Sequence, residues 1–251
     1  MFKSITKLTA VLSIGALLVS TSATLAAQGQ EAQDMRTAAE IARDRGRKPQ
    51  QVMAYLDIRP GMKIWDHASA TGYYSTLFSE AVGPTGKVYA QISERGWDRL
   101  MDALKPRYDM LGNVEPAVTQ IRDFEGEDGT FDMVFLGLIY HHMHYSEDAG
   151  NQRPERAAVF MNKAYSLLKP GGTLVIIDHQ APDGTRREDS AEWHRTTLQN
   201  AIDDVTASGF ELVGTSDILA NPNDPQDIHF RELSTGRDSS QRFLVKFKKP
   251  N

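Results

Sequence analysis

Residues 63–82 read KIWDHASATGYYSTLFSEAV, and the rest of the chain is interpreted outward from this stretch. The apolar run Lys63 to His67 predicts a short β-strand. The residues Tyr73 to Val82 predict a helix, and the GPTG sequence that follows them ends it, because glycine and proline interrupt regular structure. The stretch therefore predicts a strand, a tight turn and a helix in direct succession.

The same alternation continues toward the C-terminus. The uninterrupted apolar run Phe131–Ile139 is typical of a central parallel strand that is covered on both faces. Strands alternating with helices predict an α/β fold with a mostly parallel, seven-stranded sheet, an antiparallel last strand and helices on both faces. The other strands are predicted at residues 87–92, 113–118, 173–178, 210–216 and 242–246, and the later helices at residues 95–108, after Pro154, and at 191–208.

Composition excludes several classes of protein. Hydrophobic residues make up 40% of the 251 and charged residues 24%, which indicates a globular chain rather than a disordered one. The formal net charge of −5 argues against a nucleic-acid partner that binds a basic surface. Because the chain has no cysteine, disulfides, thiolate metal sites and cysteine nucleophiles are excluded.

The N-terminal segment has the pattern of a secretory signal. Lys3 and Lys7 precede an apolar run of 13 residues, which is followed by small residues that end in TLAAQ. We predict a signal peptide at residues 1–27, an N-terminal helical lead-in at 28–56 and the α/β domain at 57–251. Cleavage predicts a periplasmic or secreted protein without stable membrane insertion, and an uncleaved membrane anchor is the alternative.

Four segments in this order resemble class I S-adenosylmethionine (SAM)-dependent methyltransferases, which have a Rossmann-like fold: IWDHASATGYYS, KVYAQ, FDMVFLGLIYHH and LLKPGGTLVIIDH. More closely, the chain resembles a group of exported bacterial proteins described only as predicted methyltransferases. The motifs that carry this second resemblance are Gly72-Tyr73-Tyr74, Val82 to Ala90, Tyr140-His141, Asp178-His179, His194-Arg195 and, loosely, Phe243 to Pro250.

The resemblance implies SAM as cofactor and a glycine-rich loop after the first strand. In this chain Ala68 and Ala70 replace two of the family's glycines, and Gln91 replaces the acid that accepts the ribose hydroxyls. Each alanine adds one methyl group, so we expect the loop to be degenerate and SAM binding to be weakened. The residues implied to bind the cofactor are Asp66, Ala68, Ala70, Gly72, Tyr73 and Gln91.

Several of the seven histidines follow predicted strands. Because ligands bind at the carboxyl ends of strands in open α/β sheets, we expect His67, His141 and His179 to face one crevice. His194 is expected to border it from a helix that follows. The cluster is interpreted as an acid–base or a metal site, or else as structural histidines that cap strand ends. The spacing lacks a helical HExxH motif, and no metal ligand is assigned.

The leading hypothesis is a methyltransferase that acts on a small molecule. Its candidate catalytic residues are His141, His179, His194 and Tyr140, with His141 or His179 as the base. The alternative is a protein without methyltransferase activity that binds a small molecule or a metal through the same histidines, and an interaction protein is a third reading. The sequence leaves the methyl acceptor and the oligomeric state open.

Two arginine-containing segments are less specific. Arg186-Arg187 beside Glu188-Asp189 is interpreted as a solvated loop. Arg195 is interpreted either as a ligand for an anionic group of the substrate or as an exposed partner of Asp189.

Overall fold

The computed structural model describes residues 35–120, 123–143 and 155–251. The predicted signal peptide, the start of the lead-in, His144 and Pro154 lie outside these residues. Within the described ranges, no helix combines the length and the apolar character that crossing a membrane requires.

Seven strands form one sheet in the order β3-β2-β1-β4-β5-β7-β6. Strands β1 to β5 pair in parallel, and β7 lies antiparallel between β5 and β6. This arrangement confirms the predicted fold class. The strands are β1 Lys63–His67, β2 Lys87–Ile92, β3 Val114–Val118, β4 Phe131–Gly137, β5 Leu168–His179, β6 Glu211–Ser216 and β7 Arg242–Lys248.

Helices connect the strands and cover the sheet. Two of them, α1 and α2, precede β1, and the first begins with a capping box in which Thr37 and Glu40 bond each other's backbone N–H groups. The helices are α1 Ala38–Arg47, α2 Pro49–Leu56, α3 Tyr73–Val82, α4 Glu94–Leu111, α5 Glu155–Leu167, α6 Arg187–Glu192 and α7 Leu198–Thr206.

Strand β4 explains why the run FDMVFLG is apolar throughout. Successive side chains of a strand point to opposite faces. Val134 and Leu136 pack into one core cluster with Trp65, whereas Met133 and Phe135 pack into a second cluster. Both faces of β4 are therefore covered. Because β4 is the middle strand of the sheet, its carboxyl end lies between the carboxyl ends of β1 and β5.

The helix predicted over residues 191–208 is wrong, because the chain interrupts it between α6 and α7. His194 has a left-handed backbone with φ of 51°. Thr196 then forms an isolated bridge with Gln180, at the end of β5. The Thr197 hydroxyl starts α7 by accepting a hydrogen bond from the Asn200 N–H at 3.0 Å. His194 therefore projects from a loop tied to the sheet rather than from a helix.

Candidate functional site

The β1–α3 loop has left-handed backbone at three alternate positions, two of which are alanines. Ala68 and Ala70 have φ of 52° and 49°, and Gly72 has φ of 74°. This left-handed conformation places the Cβ of an L-residue close to the following carbonyl oxygen, so only glycine adopts it cheaply. The loop thus keeps the course that the replaced glycines favour and holds two alanines in a strained conformation.

Gly72 is required by packing within the protein. A Cβ at this position would lie 2.5 Å from the Tyr108 hydroxyl oxygen and 3.1 Å from Leu104 Cδ2, both on α4. The resemblance attributes glycines in this loop to contact with the cofactor. At Gly72 the contact is with α4 instead, and its backbone carbonyl accepts the first hydrogen bond of α3 from Thr76.

Gln91, at the end of β2, ties three strand ends together. Its side-chain oxygen accepts the Ala68 N–H at 3.0 Å, and its amide donates to the Thr119 carbonyl at 2.6 Å. The Ser69 N–H donates to the Gln91 carbonyl at 2.9 Å. The side chain therefore fixes the β1–α3 loop, a role that the expected ribose contact did not anticipate.

Asp66 and Tyr73 are engaged beneath the loop. Asp66 is buried, and the Ser75 hydroxyl donates to its carboxylate at 2.5 Å. Burial raises the pKa of Asp66 to about 7, against smaller lowering effects of Ser75 and Arg47. The Tyr73 hydroxyl donates to Asp44 at 2.6 Å. Among the described residues, both side chains are therefore hydrogen-bonded to other side chains of the protein.

A cavity of about 430 Å³ lies against this loop, at the carboxyl ends of β1 and β2. This volume is in the range of small-molecule sites. Of the residues implied to bind the cofactor, Ala68, Ala70 and Gln91 line it, whereas Asp66, Gly72 and Tyr73 do not. The remaining described lining residues are His67, Ile92, Ser93, Gly96, Arg99, Leu100, Gln120, Ile139, His142, Met143 and Arg156.

His67 forms part of the cavity wall. Its ring contacts Trp65 and Phe160, with centroid distances of 5.7 and 4.9 Å. Burial lowers the pKa of His67 to about 4, so the imidazole is neutral at pH 7. Its buried Nδ1 has no hydrogen-bond partner among the described residues. His67 thus contributes a neutral imidazole to the wall of the cavity.

A cluster of imidazoles surrounds His141, which lies in the 3₁₀ turn Tyr140–Met143 after β4. The ring centroids of His142, His179 and His194 lie 4.4, 5.7 and 5.6 Å from that of His141. His141 Nδ1 is 2.7 Å from Asp178 Oδ1, and the His141 N–H donates to Asp178 Oδ2 at 2.6 Å. Asp178, at the end of β5, therefore fixes both the backbone and the ring of His141.

The imidazoles around His141 are kept neutral. Burial, with smaller contributions from His141 and His194, lowers the pKa of His142 to about 4. Burial also lowers the pKa of His179 well below its ordinary value, and that of His194 to a smaller extent. The His179 ring stacks on Phe230 at 3.9 Å, and its Nδ1 is 2.6 Å from the Ser240 hydroxyl.

The structure brings together three of the four histidines expected to share a crevice. His141, His179 and His194 belong to the cluster, whereas His67 lies with Trp65 and Phe160 on the cavity wall. His142 lines the cavity and also contacts His141, so it borders both regions. Sequence reasoning assigned no role to His142 or His229, although the repeated histidine after β4 was a signal for the first.

Tyr140, Arg187 and Arg195 form hydrogen bonds and ion pairs in the protein interior. The Tyr140 hydroxyl donates to Asp204 at 2.5 Å, and Arg187 forms a two-pronged ion pair with the same carboxylate. Arg187 is therefore buried, contrary to the solvated loop predicted for it. Arg195 is fully buried and paired with Asp224 at 2.8 and 3.0 Å, so the expected exposed pair with Asp189 is wrong.

Comparison with known proteins finds sequence similarity to methyltransferases over about half of the chain. No protein-family model matches the chain. The ubiquinone/menaquinone biosynthesis C-methyltransferases UbiE of Pseudomonas fluorescens (strain Pf0-1) and Ectopseudomonas mendocina (strain ymp) are 31% and 29% identical to it over 130 residues. The match covers 50% of this chain and 44% of each relative. The chain therefore spans less than half the length of these curated relatives.

Solved structures share the fold over most of the chain. A SAM-dependent methyltransferase from Aquifex aeolicus superposes with a TM-score of 0.55 at 18% identity, covering 80% of this chain and 88% of its own. The [4+2]-cyclase SpnF superposes with a TM-score of 0.56 at 14% identity, covering 82% and 80%. The fold and the sequence similarity together confirm the resemblance to class I SAM-dependent methyltransferases.

Proposed function

We propose that the protein is an exported SAM-dependent methyltransferase that acts on a small molecule. The observation that carries the proposal is the cavity beside the β1–α3 loop, whose backbone keeps the course of a glycine-rich turn. The similarity to enzymes named C-methyltransferases supports this reaction class. Methyl transfer requires mainly that donor and acceptor be held in line, which a cavity beside a rigid loop can do.

The residues present fit SAM as the cofactor. The loop at Ala68 and Ala70 would lie along it, and Gln91 and Ser93 would border the side nearest β2. The neutral His67 imidazole would lie beside it on the cavity wall. When bound, SAM supplies an activated methyl group on a sulfonium centre.

The chain's own residues would position the acceptor and receive its proton. His142 and Met143 line the cavity from the 3₁₀ turn, and Leu100 and Ile139 add apolar walls that exclude water. The His142 ring borders the cavity, and the histidines behind it are the candidates to accept a proton from an acceptor that carries one. Of the predicted bases, His141 stands directly behind it, whereas His179 bonds Ser240 and stacks on Phe230.

Calorimetric titration of the mature protein with SAM, and with its demethylated product, tests the proposal. We expect both to bind, and binding of SAM to tighten at least tenfold in an Ala68→Gly/Ala70→Gly variant, because the loop loses two methyl groups and their strain. Ala207→Gly, at the exposed end of α7, is the matched control and should leave the affinity unchanged. Absence of SAM binding to both the native protein and the double variant would overturn the proposal.

Export is a separate part of the proposal and rests on the N-terminal charge and apolar run. We expect the protein in its native host to be soluble outside the cytoplasm, with a mature N-terminus at Ala27 or Gln28. N-terminal sequencing of the fractionated host decides this. Full-length protein in the membrane fraction would contradict it.

A further inference from the structure

We propose that His141, His142 and His194 form a binding site for one divalent transition-metal ion, with Asp178 as the carboxylate that orients His141. Each residue offers one ligand nitrogen, and the three nitrogens all lie within 4.8 Å of one another. Nitrogens that share one Zn²⁺ at 2.0–2.1 Å in tetrahedral geometry lie roughly 3.4 Å apart. Small rotations of the two partly exposed rings, His142 and His194, close the difference.

The orientation of His141 is an independent indication of a ligand. His141 is 2% exposed, and its Nε2 has no hydrogen-bond partner in the described part of the chain. Its Nδ1 bonds Asp178, which fixes the tautomer that leaves the Nε2 lone pair free. Histidine ligands of metals commonly donate their other N–H to a carboxylate in this way.

His179 shows how a structural histidine differs. It is as buried as His141, but its Nδ1 bonds the Ser240 hydroxyl and its ring stacks on Phe230. A buried nitrogen without a partner is unfavourable, so proteins seldom keep one without a use. His141 Nε2 is such a nitrogen, and the other two ligand nitrogens of the proposed site lie around it.

The donor set defines the class of metal. Three imidazole nitrogens favour zinc, copper or nickel over magnesium and calcium, which prefer oxygen ligands. Three protein ligands leave a coordination position for water or for a ligand. Since His142 also lines the cavity, the site adjoins it. The inference is tested apart from the proposed methyl transfer, because Zn²⁺ binding and SAM binding are measured separately; a histidine that binds the metal does not also act as the base.

The test is calorimetric titration of Zn²⁺ into mature protein that carries no affinity tag and has been stripped with a chelator. We expect one Zn²⁺ per chain and at least a hundredfold loss of affinity in a His142→Ala/His194→Ala variant. Asp178→Asn is expected to weaken binding by about 10- to 100-fold, as measured for other carboxylates behind metal ligands. Thermal unfolding monitored by circular dichroism confirms that each variant is folded before titration.

His229→Ala is the matched control, because the His229 ring lies 4.7 Å from that of His194 but outside the proposed ligand set. Its Zn²⁺ affinity should stay within twofold of the native value. The proposal is overturned if the native protein does not bind Zn²⁺, if the double variant binds it equally well, or if His229→Ala loses as much affinity. Binding of Mg²⁺ as tight as that of Zn²⁺ would contradict the donor chemistry.

Discussion

The cavity and the histidine cluster lie at the same edge of one sheet but are built from different material. The cavity is shaped by the backbone at the ends of β1 and β2, where Ala68 and Ala70 hold left-handed conformations. The cluster is assembled from side chains at the ends of β4 and β5, and a carboxylate fixes its central ring. Alanine can replace glycine in the first region at the cost of strain, whereas the second depends on particular ionisable groups.

Buried charges accordingly maintain the histidine side of the molecule. Arg195 follows His194 directly and pairs with Asp224, while also donating to the carbonyls of Gln180 and Ile228 at 3.0 and 2.8 Å. This network holds the break between α6 and α7 from which His194 projects. The comparison therefore predicts that removing a buried charge lowers folding stability most on the histidine side. Changing the backbone conformation should affect stability on the cavity side.

The largest effect is expected from Asp224→Ala. It leaves the fully buried Arg195 guanidinium without a counter-charge, and breaking one partner of a buried pair typically costs about 3–5 kcal/mol. Urea unfolding at pH 7 measures the loss. Asp189→Ala removes an acid from an exposed pair with Arg186 and should leave the midpoint unchanged. Equal urea midpoints for Asp224→Ala and Asp189→Ala would contradict the conclusion that buried charges maintain the histidine side.

Substitution of Asp66 tests whether the cavity side is free of buried charge. Its folded-state pKa of about 7 lies above the ordinary value of 3.8, so the folded protein binds the extra proton. The contribution of Asp66 to folding stability is therefore greatest below pH 4, falls as the pH rises from about 4 to about 7, and is level above that. Asp66→Asn keeps an acceptor for Ser75 and should remove this part of the pH dependence.

The measurement is the melting temperature of the native protein and of Asp66→Asn between pH 5 and pH 8. We expect the variant to gain on the native protein as the pH rises across this interval. Glu80→Gln is a control on the same element, because the Glu80 carboxyl is only partly buried and its pKa is raised without reaching a large shift. A constant difference between Asp66→Asn and native protein would contradict the buried, proton-binding carboxyl.

Gly72→Ala should lower folding stability by less, through the backbone strain at residue 72 and the contact with Tyr108. The left-handed conformation costs an L-residue about 1–2 kcal/mol, and the added Cβ would meet the Tyr108 hydroxyl oxygen at 2.5 Å. Tyr108→Phe removes that oxygen, which has no hydrogen-bond partner among the described residues. In the Tyr108→Phe background, Gly72→Ala should therefore cost less than in the native protein.

A double-mutant cycle by urea unfolding measures this difference. Equal costs of Gly72→Ala in both backgrounds would show that α4 does not press on the turn. The glycine would then be required by its φ angle alone, and the contact with Tyr108 would carry no energy.

The two sides also differed in how far the sequence could predict them. The strands follow from hydrophobic periodicity, the Rossmann-like sheet is what the resemblance implied, and the histidines at the ends of β4 and β5 could be expected to meet. The helix over 191–208 was wrong because its residues have helical spacing, while the bridge from Thr196 to Gln180 that interrupts it joins distant parts of the chain. Hydrophobic periodicity does not indicate contacts between residues that are distant in the chain.

Ion pairs across long separations were missed for the same reason. Arg195 and Asp224 are 29 residues apart, and nothing in either local sequence indicates the other. The contacts that Gln91 and Gly72 make within the protein were also not predicted, because the family pattern considers both positions only in relation to the cofactor. In this chain Gln91 bonds the neighbouring loop and strand ends, and Gly72 makes room for Tyr108.

The smallest effect, and the one most specific to the cavity side, is expected from Ala68→Gly and Ala70→Gly. Glycine relieves the left-handed strain of about 1–2 kcal/mol but loses roughly 0.5–1 kcal/mol in backbone entropy. The net gain is about 0.5 kcal/mol at each position, and about 1 kcal/mol raises the melting temperature of a chain of this size by roughly 2–4 °C. Ala90→Gly, within the extended and buried part of β2, provides the opposite case: it relieves no strain and loses packing, so its melting temperature should fall. If all three changes lower the melting temperature alike, the loop alanines are unstrained, and backbone conformation does not set the cavity side apart from the histidine side.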